Sequence, residues 1–166
     1  MSNVYIKTKI RSGACAVEYL KQISDKHIMV VCDKFLSESG AIRYVTDSLN
    51  ASNEVVVFDQ AIPDPTTEVV GKGLNVICKV HPDVVIGFGG GSAIDTAKGI
   101  IYFAGIQNLI PKPEFITIPT TSGSVSMRKI RALSRTMESI TERSRRNWEF
   151  MGLPVWRRTR WWREIA

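Results

Sequence analysis

The residues from Gly87 to Ser92 have the composition of a phosphate-binding loop. Four of these six residues are glycine, and they lie between an apolar run and a stretch with helical periodicity. Glycine lets the backbone approach a ligand closely, and the free N–H groups at the start of the following helix attract phosphate. Ser92 is expected to be the N-cap of that helix, with Asp95 three residues later as a capping-box acid. The pattern therefore predicts a phosphate or nucleotide site.

The spacing of this loop differs from that of two common nucleotide motifs. A G-x-G-x-x-G fingerprint beginning at Gly87 would need glycine at position 92, where serine stands, and the acid that binds ribose would follow the loop by about 20 residues. The acid with the better placement, Asp33, instead precedes the loop and follows the apolar run 27–32. The chain contains no G-K-[ST] sequence of a P-loop. A tight strand–helix turn that binds nothing stays open as the alternative to a nucleotide site.

The elements that must position this loop alternate between strands and helices. Apolar runs predict strands over 4–10, 27–32, 54–58, 83–88 and 115–119. Helical spacing and turn signals predict helices over 14–24 and 36–50, from residue 66 or 67 to 80, and over 93–104. This alternation is typical of an α/β fold, a Rossmann-like parallel sheet with helices on both faces. Ligands bind beyond the carboxyl ends of such strands, where the sequence places Asp33, the turn 63–67, the loop 87–92 and Thr120–Gly123.

The composition indicates a soluble globular protein. Of the 166 residues 44% are hydrophobic, and no apolar run approaches the ~18 residues that span a membrane. The first ten residues lack the apolar core of a secretory signal. The three cysteines, Cys15, Cys32 and Cys78, have no metal-ligand spacing and are interpreted as buried or idle thiols of a cytosolic protein.

The positive charge of the chain is confined to its last part. The net charge is +6, yet residues 1–122 hold 11 basic and 12 acidic residues. Residues 123–166 hold 11 basic and four acidic residues, with ten of the twelve arginines and all four tryptophans. Such a segment could bind nucleic acid or an anionic membrane surface, but a tail without a selected role is favoured. The net charge therefore gives no information about what residues 1–122 bind.

Four motifs in a fixed order give the chain a family resemblance. They are CDKFL at 32–36, PDPT at 63–66, GGGSAIDTAK at 89–98 and IPTTSG at 118–123. In this combination they resemble the iron-containing alcohol dehydrogenases, in particular the propanol dehydrogenases of propanediol-utilisation operons. The resemblance covers residues 4–123. It implies an NAD-dependent oxidoreductase that interconverts short-chain alcohols and aldehydes, in the cytoplasm or in a bacterial microcompartment.

The resemblance also implies a role for each matching residue. The GGGS loop would hold the dinucleotide pyrophosphate, and Asp33 would contact the adenosine ribose and favour NAD over NADP. The turn at Asp64 would approach the cofactor, and a pair of threonine hydroxyls would line it. Lys98, in the helix after the loop, is interpreted as a solvated side chain. The expected cofactor-binding residues are Asp33, Asp64, Gly89, Gly90, Gly91, Ser92, Thr120 and Thr121.

After Gly123 the sequence departs from the family pattern. The family continues with T-G-S-E and a helical domain that supplies one Asp and three His ligands for Fe²⁺ or Zn²⁺. Residues 124–166 do not follow that pattern, and the two histidines of the chain, His27 and His81, are interpreted as surface or loop residues. We therefore expect a dinucleotide-binding domain over 1–123, a frameshifted or fused tail over 124–166 that is partly helical or disordered, and no catalytic or metal-ligating residues.

The function expected from these observations is that of the nucleotide-binding half of an NAD-dependent alcohol dehydrogenase, inactive by itself. Its partners would be a dinucleotide, a small alcohol or aldehyde in the full-length family, and a second copy in a homodimer. Two alternatives stay open. One is a non-catalytic module for NAD binding or dimerisation, and the other is an arginine-rich protein that binds nucleic acid or membranes.

Overall fold

The computed structural model describes residues 9–13 and 15–121. In this part of the chain a 3-10 helix, Ala16–Gln22, precedes four strands and four α-helices. The strands are β1 (His27–Asp33), β2 (Glu54–Ala61), β3 (Val84–Gly89) and β4 (Glu114–Pro119). The helices are α1 (Lys34–Glu38), α2 (Arg43–Thr46), α3 (Thr67–Val80) and α4 (Gly91–Ile106).

The four strands form one parallel sheet in the order β2-β1-β3-β4. Val30 of β1 pairs with Val57 of β2 on one side and with Ile86 of β3 on the other. Ile86 in turn pairs with Ile116 of β4. The parallel α/β sheet expected from the strand–helix alternation is confirmed.

Apolar side chains cover both faces of the two central strands. β1 is buried from Ile28 to Cys32, and β3 is buried along its whole length. Because successive side chains of a strand point to opposite faces, the alternating residues enter two separate cores. One core is formed with α3 and α4 and includes Met29, Val31 and Val85. The other is formed with the 3-10 helix, α1 and α2 and includes Ile28, Val30 and Ile86.

Helix α3 begins as its sequence predicts and packs closely on α4. The Oγ1 atom of Thr66 accepts a hydrogen bond from the N–H of Val69 at 3.4 Å, so Thr66 is the N-cap. Gly73 allows α3 to approach α4 closely, because a Cβ at this position would overlap the side chain of Ile100. The two helices are thereby held together over one face of the sheet.

The regions on either side of β1 differ from the sequence-based expectations. The single helix predicted over 36–50 is two short helices, α1 and α2, separated by a turn. Gly40 lies in this turn with a φ of +79°, a conformation that ends helices and favours glycine. The helix predicted over 14–24 is a shorter 3-10 helix. Of the strand predicted over 4–10, residues 4–8 lie outside the described residues, and Lys9 and Ile10 are not in a strand.

Candidate functional site

The strand order places a topological switch between β1 and β3. From β1 the chain crosses to β2 on one side, whereas from β3 it crosses to β4 on the other side. The two crossovers diverge and open a crevice at the carboxyl ends of the strands, where α/β proteins bind their ligands. Asp33 ends β1 and Gly89 ends β3. Two of the expected site residues therefore flank this crevice.

The carboxylate of Asp33 is fixed in place by the first turn of α1. Its Oδ1 atom accepts a hydrogen bond from the N–H of Leu36 at 2.9 Å, which makes Asp33 the N-cap of this helix. Its Oδ2 atom lies 3.6 Å from the position that a Cβ on Gly89 would take. One oxygen thus stabilises the fold while the other lies beside the glycine loop. This cap was not predicted from the sequence, although an aspartate at the end of a strand and directly before a helix is a signal for one.

Gly89 occupies a position that only glycine fits. Its φ is +138°, a backbone conformation that residues with side chains rarely adopt. A Cβ on Gly89 would lie 3.0 Å from the Cβ of Ala93 and 3.1 Å from the Cδ1 of Leu36. Both the dihedral angle and the space therefore require glycine. Leu36 and Ala93, which form the walls here, were not singled out from the sequence.

Gly90 directly precedes α4 and has free space around it. A Cβ on Gly90 would lie 3.9 Å from both the Oγ1 and the Cγ2 of Thr121, which is ordinary van der Waals contact. Gly90 is the N-cap of α4, and no side chain caps the helix. A capping side chain would accept hydrogen bonds from the first N–H groups of the helix. No described side chain does so at α4, so these N–H groups are suited to bind an anion.

Three expectations about α4 are wrong. Ser92 is not the N-cap but the second residue of the helix, and its carbonyl accepts a hydrogen bond from the Oγ1 of Thr96 at 2.7 Å. Asp95 does not close a capping box with Ser92, because the N-cap of α4 is Gly90, and the Oδ1 of Asp95 lies 3.3 Å from the Nζ of Lys98. Lys98 is not a solvated side chain, since it is only 11% exposed. The helix begins two residues earlier than the S-x-x-D pattern suggests.

The end of β4 brings the two threonines next to the loop. The N–H of Thr120 donates a hydrogen bond to the carbonyl of Gly89 at 3.0 Å. Thr121 lies beside Gly90, and both threonines are exposed. The structure therefore brings Asp33, the loop residues and the threonine pair together at one edge of the sheet.

Asp64 lies at the same edge but further out. It is in the exposed turn after β2, one strand away from Asp33. Its φ is +50°, although a residue that precedes proline favours an extended conformation. Asp64 therefore follows a strand that lies on the far side of β1 from the crevice between β1 and β3.

Cys32, directly before Asp33, is not equipped to act as a nucleophile. Burial, reinforced by the charges of Asp59 and Asp33, raises the pKa of this thiol to about 12. A thiol is reactive as the thiolate, so Cys32 remains protonated and inert at neutral pH. This agrees with its interpretation as a buried thiol.

The described residues do not fit the metal site that the family resemblance implies. His27 and His81 are both exposed, as expected, and the Nε2 of His27 lies 3.3 Å from the Oε2 of Glu54 on the surface. Across residues 9–13 and 15–121, no group of three or more His, Cys, Asp or Glu side chains could hold a metal ion.

None of the helices in residues 9–13 and 15–121 is long and apolar enough to cross a membrane.

Comparison with known proteins identifies the family. Residues 7–132 match the iron-containing alcohol dehydrogenases. The chain belongs to this family. The resemblance stated from the four motifs is confirmed, and the match extends past Gly123 to residue 132.

Individual members of the family cover a similar part of the chain. It is 41% identical over 126 residues to the 1-propanol dehydrogenase PduQ of Citrobacter freundii, covering 76% of this chain and 34% of that protein. It is 33% identical over 143 residues to the NAD-dependent methanol dehydrogenase of Bacillus methanolicus, covering 76% and 37%. The solved alcohol dehydrogenase from Oenococcus oeni has 31% identity and a TM-score of 0.56, covering 66% and 32%. The chain thus spans about a third of the length of the curated relatives it matches.

Proposed function

We propose that this chain is the NAD-binding half of an iron-containing alcohol dehydrogenase, with the dinucleotide in the crevice between β1 and β3. The observation that carries the proposal is the position of the Asp33 Oδ2 atom, 3.6 Å from the Cβ site of Gly89 at the switch point. A carboxylate can accept hydrogen bonds from ribose hydroxyls while the adjacent glycine loop binds the pyrophosphate of the same molecule. The name of the NAD-dependent relative supports the choice of nucleotide.

Each group at the edge of the sheet has a task in this proposal. The backbone of Gly89 to Ser92 and the N-terminus of α4 bind the pyrophosphate, because N–H groups and the helix dipole favour negative charge. The Oδ2 of Asp33 accepts a hydrogen bond from the ribose 2′-OH. Thr120 and Thr121 offer hydroxyls along the dinucleotide, and Asp64 approaches it from the outer side.

The reaction of the complete enzyme would be hydride transfer between the nicotinamide and a short-chain alcohol or its aldehyde. The names of the 1-propanol and methanol dehydrogenase relatives support this substrate class. The protein contributes binding and orientation, while the cofactor carries the hydride chemistry. Because the described residues offer no metal site, we propose that the 166-residue chain binds NAD without turning over substrate.

Titration calorimetry with NAD⁺ tests the proposal. Wild type should bind, and Gly90→Val should abolish binding, because its side chain would block the approach of the pyrophosphate to the backbone. The control is Gly71→Val, at a helical glycine where a Cβ would have nothing within 4 Å. It should bind like wild type. Circular dichroism should show the same helix content in all three proteins, and wild-type binding that survives Gly90→Val would contradict the proposal.

A further inference from the structure

The segments at the carboxyl edge of the sheet contain a single basic residue. Within residues 33–38, 61–67, 89–95 and 119–121 the acids are Asp33, Glu38, Asp64 and Asp95, whereas Lys34 is the one lysine or arginine. Lys98, further along α4, is already paired with Asp95. This edge is therefore negative, and it repels an additional phosphate. A 2′-phosphate would find Lys34 as its cationic partner in these segments.

Lys34 is engaged by a carboxylate of its own helix. Its Nζ lies 3.3 Å from the Oε1 of Glu38, and both side chains are largely exposed, at 76% and 67%. Lys34 directly follows Asp33 in the chain, so it adjoins the residue proposed to bind the ribose. By pairing with Lys34, Glu38 offsets the positive charge that would attract a 2′-phosphate at this site.

The order of the two charges is unfavourable for the helix. Lys34 is the first residue of α1 and Glu38 is the last, so each charge lies at the end where the helix dipole disfavours it. The pair of Glu68 and Lys72 on α3 has the favourable order, with its charged atoms 2.8 Å apart. The order of the charges therefore stabilises the helix more in the α3 pair than in the α1 pair.

We propose that Glu38 is a second determinant of cofactor choice, acting with Asp33 to disfavour NADP. Asp33 repels the 2′-phosphate directly, and Glu38 acts indirectly by neutralising Lys34. This inference rests on the proposed NAD site. It assigns Glu38 a role in specificity and none in the binding of NAD itself.

The test measures the dissociation constants of NAD⁺ and NADP⁺ for the full chain in low salt. Glu38→Gln should tighten NADP⁺ binding by about threefold, in keeping with the modest strength of exposed ion pairs, and leave NAD⁺ binding unchanged. Adding Lys34→Gln should remove this gain, and raising the salt concentration should shrink it. The matched control is Glu68→Gln, which breaks the exposed pair on α3 and should leave the ratio of the two constants unchanged. If wild type binds NADP⁺ too weakly to measure, the Glu38, Lys34 and Glu68 variants are compared in an Asp33→Asn background, which should bind NADP⁺ more tightly.

The outcomes separate this inference from the proposal on which it rests. Wild type that binds neither nucleotide overturns both. NAD⁺ binding with the same NADP⁺/NAD⁺ ratio in wild type and Glu38→Gln overturns the role of Glu38 alone. An equal gain in Glu68→Gln also overturns it, because the effect would then come from net charge and not from release of Lys34.

Discussion

The Oδ2 atom of Asp33 lies 3.6 Å from the position that a Cβ atom on Gly89 would occupy, while its Oδ1 atom caps α1 through the N–H of Leu36 at 2.9 Å. The two residues end neighbouring parallel strands whose crossovers diverge. One carboxylate therefore has a structural task and a proposed recognition task. The two tasks can be separated by substitution because they use different oxygens and depend differently on charge.

Asp33→Asn should keep the cap and lose the charge. Asparagine is as good an N-cap as aspartate, so the free energy of unfolding should change by less than about 0.5 kcal/mol. Without this negative charge the protein should repel a 2′-phosphate less strongly, and its preference for NAD over NADP should narrow or reverse. The measurements are urea denaturation and the two dissociation constants.

Asp33→Leu is the companion variant, because it removes both the cap and the charge. We expect it to lose about 1 kcal/mol of stability and to show the same change in nucleotide preference as Asp33→Asn. If Asp33→Asn leaves the ratio of the two dissociation constants unchanged, the assignment of Asp33 to the ribose is wrong.

Gly89→Ala should damage both the fold and the binding of NAD. The alanine would have to adopt a φ of +138°, and its Cβ would lie 3.0 Å from the Cβ of Ala93. Backbone strain and overpacking should therefore lower the free energy of unfolding by about 2 kcal/mol or more. Gly90→Ala is the matched control, since a Cβ there makes contacts at 3.9 Å. It should unfold at nearly the wild-type urea concentration. Equal denaturation midpoints for the two alanine variants would contradict this prediction, because they would show that the loop can shift to accommodate a Cβ at position 89.

The parallel sheet could be predicted because its central strands carry their signal locally. β1 and β3 are short apolar runs, buried on both faces; β1 ends at the polar residue Asp33, and β3 runs into the glycine-rich loop. That pattern is typical of parallel strands, and it places Asp33 and the glycine loop at one edge of the sheet. The walls of the crevice could not be predicted in this way. Leu36 and Ala93 reach Gly89 from separate helices, a contact that depends on how those helices pack.

The errors at α1 and α4 have a common physical origin. The sequence S-x-x-D at 92–95 fits the pattern of a capping box that begins at Ser92. However, Gly90 has the extended backbone of an N-cap, so the helix begins before Ser92. Likewise, apolar spacing continues across Gly40, whose positive φ ends the helix. A local sequence pattern is compatible with several helix boundaries, and tertiary packing determines which of them the chain adopts.

Ionisation of Cys32 should lower the stability of the protein in alkaline solution. Its pKa is raised from 9.0 to about 12 by burial and by the nearby carboxylates, so the unfolded state loses this proton at lower pH than the folded state does. The stabilisation is fully present below about pH 9 and is lost as the pH rises toward 12. In this window the free energy of unfolding should fall by up to about 1.4 kcal/mol per pH unit.

Cys32→Ala isolates this contribution, because all other titrating groups remain. Denaturation of wild type and variant at pH 8, 9.5 and 10.5 should show a steeper decline for wild type. The comparison uses the slopes, since removal of the buried sulfur also costs packing energy at every pH. Parallel pH profiles for the two proteins would mean that Cys32 ionises as readily in the folded state as in the unfolded state.

The 166-residue chain, supplied with Fe²⁺ or Zn²⁺, NADH and propanal, should show no turnover above background. The metal ligands implied by the family are one carboxylate and three imidazoles, but the chain has two histidines, both on its exposed surface. Losing a Lewis acid that polarises the carbonyl oxygen removes several kcal/mol of transition-state stabilisation, and bound cofactor alone does not replace it. The assay follows NADH absorbance, with calorimetry confirming that NADH is bound under the same conditions. Metal-dependent oxidation of NADH that is abolished both by a chelator and by Gly90→Val would contradict this prediction, because it would require a metal site in the chain that uses the same dinucleotide crevice.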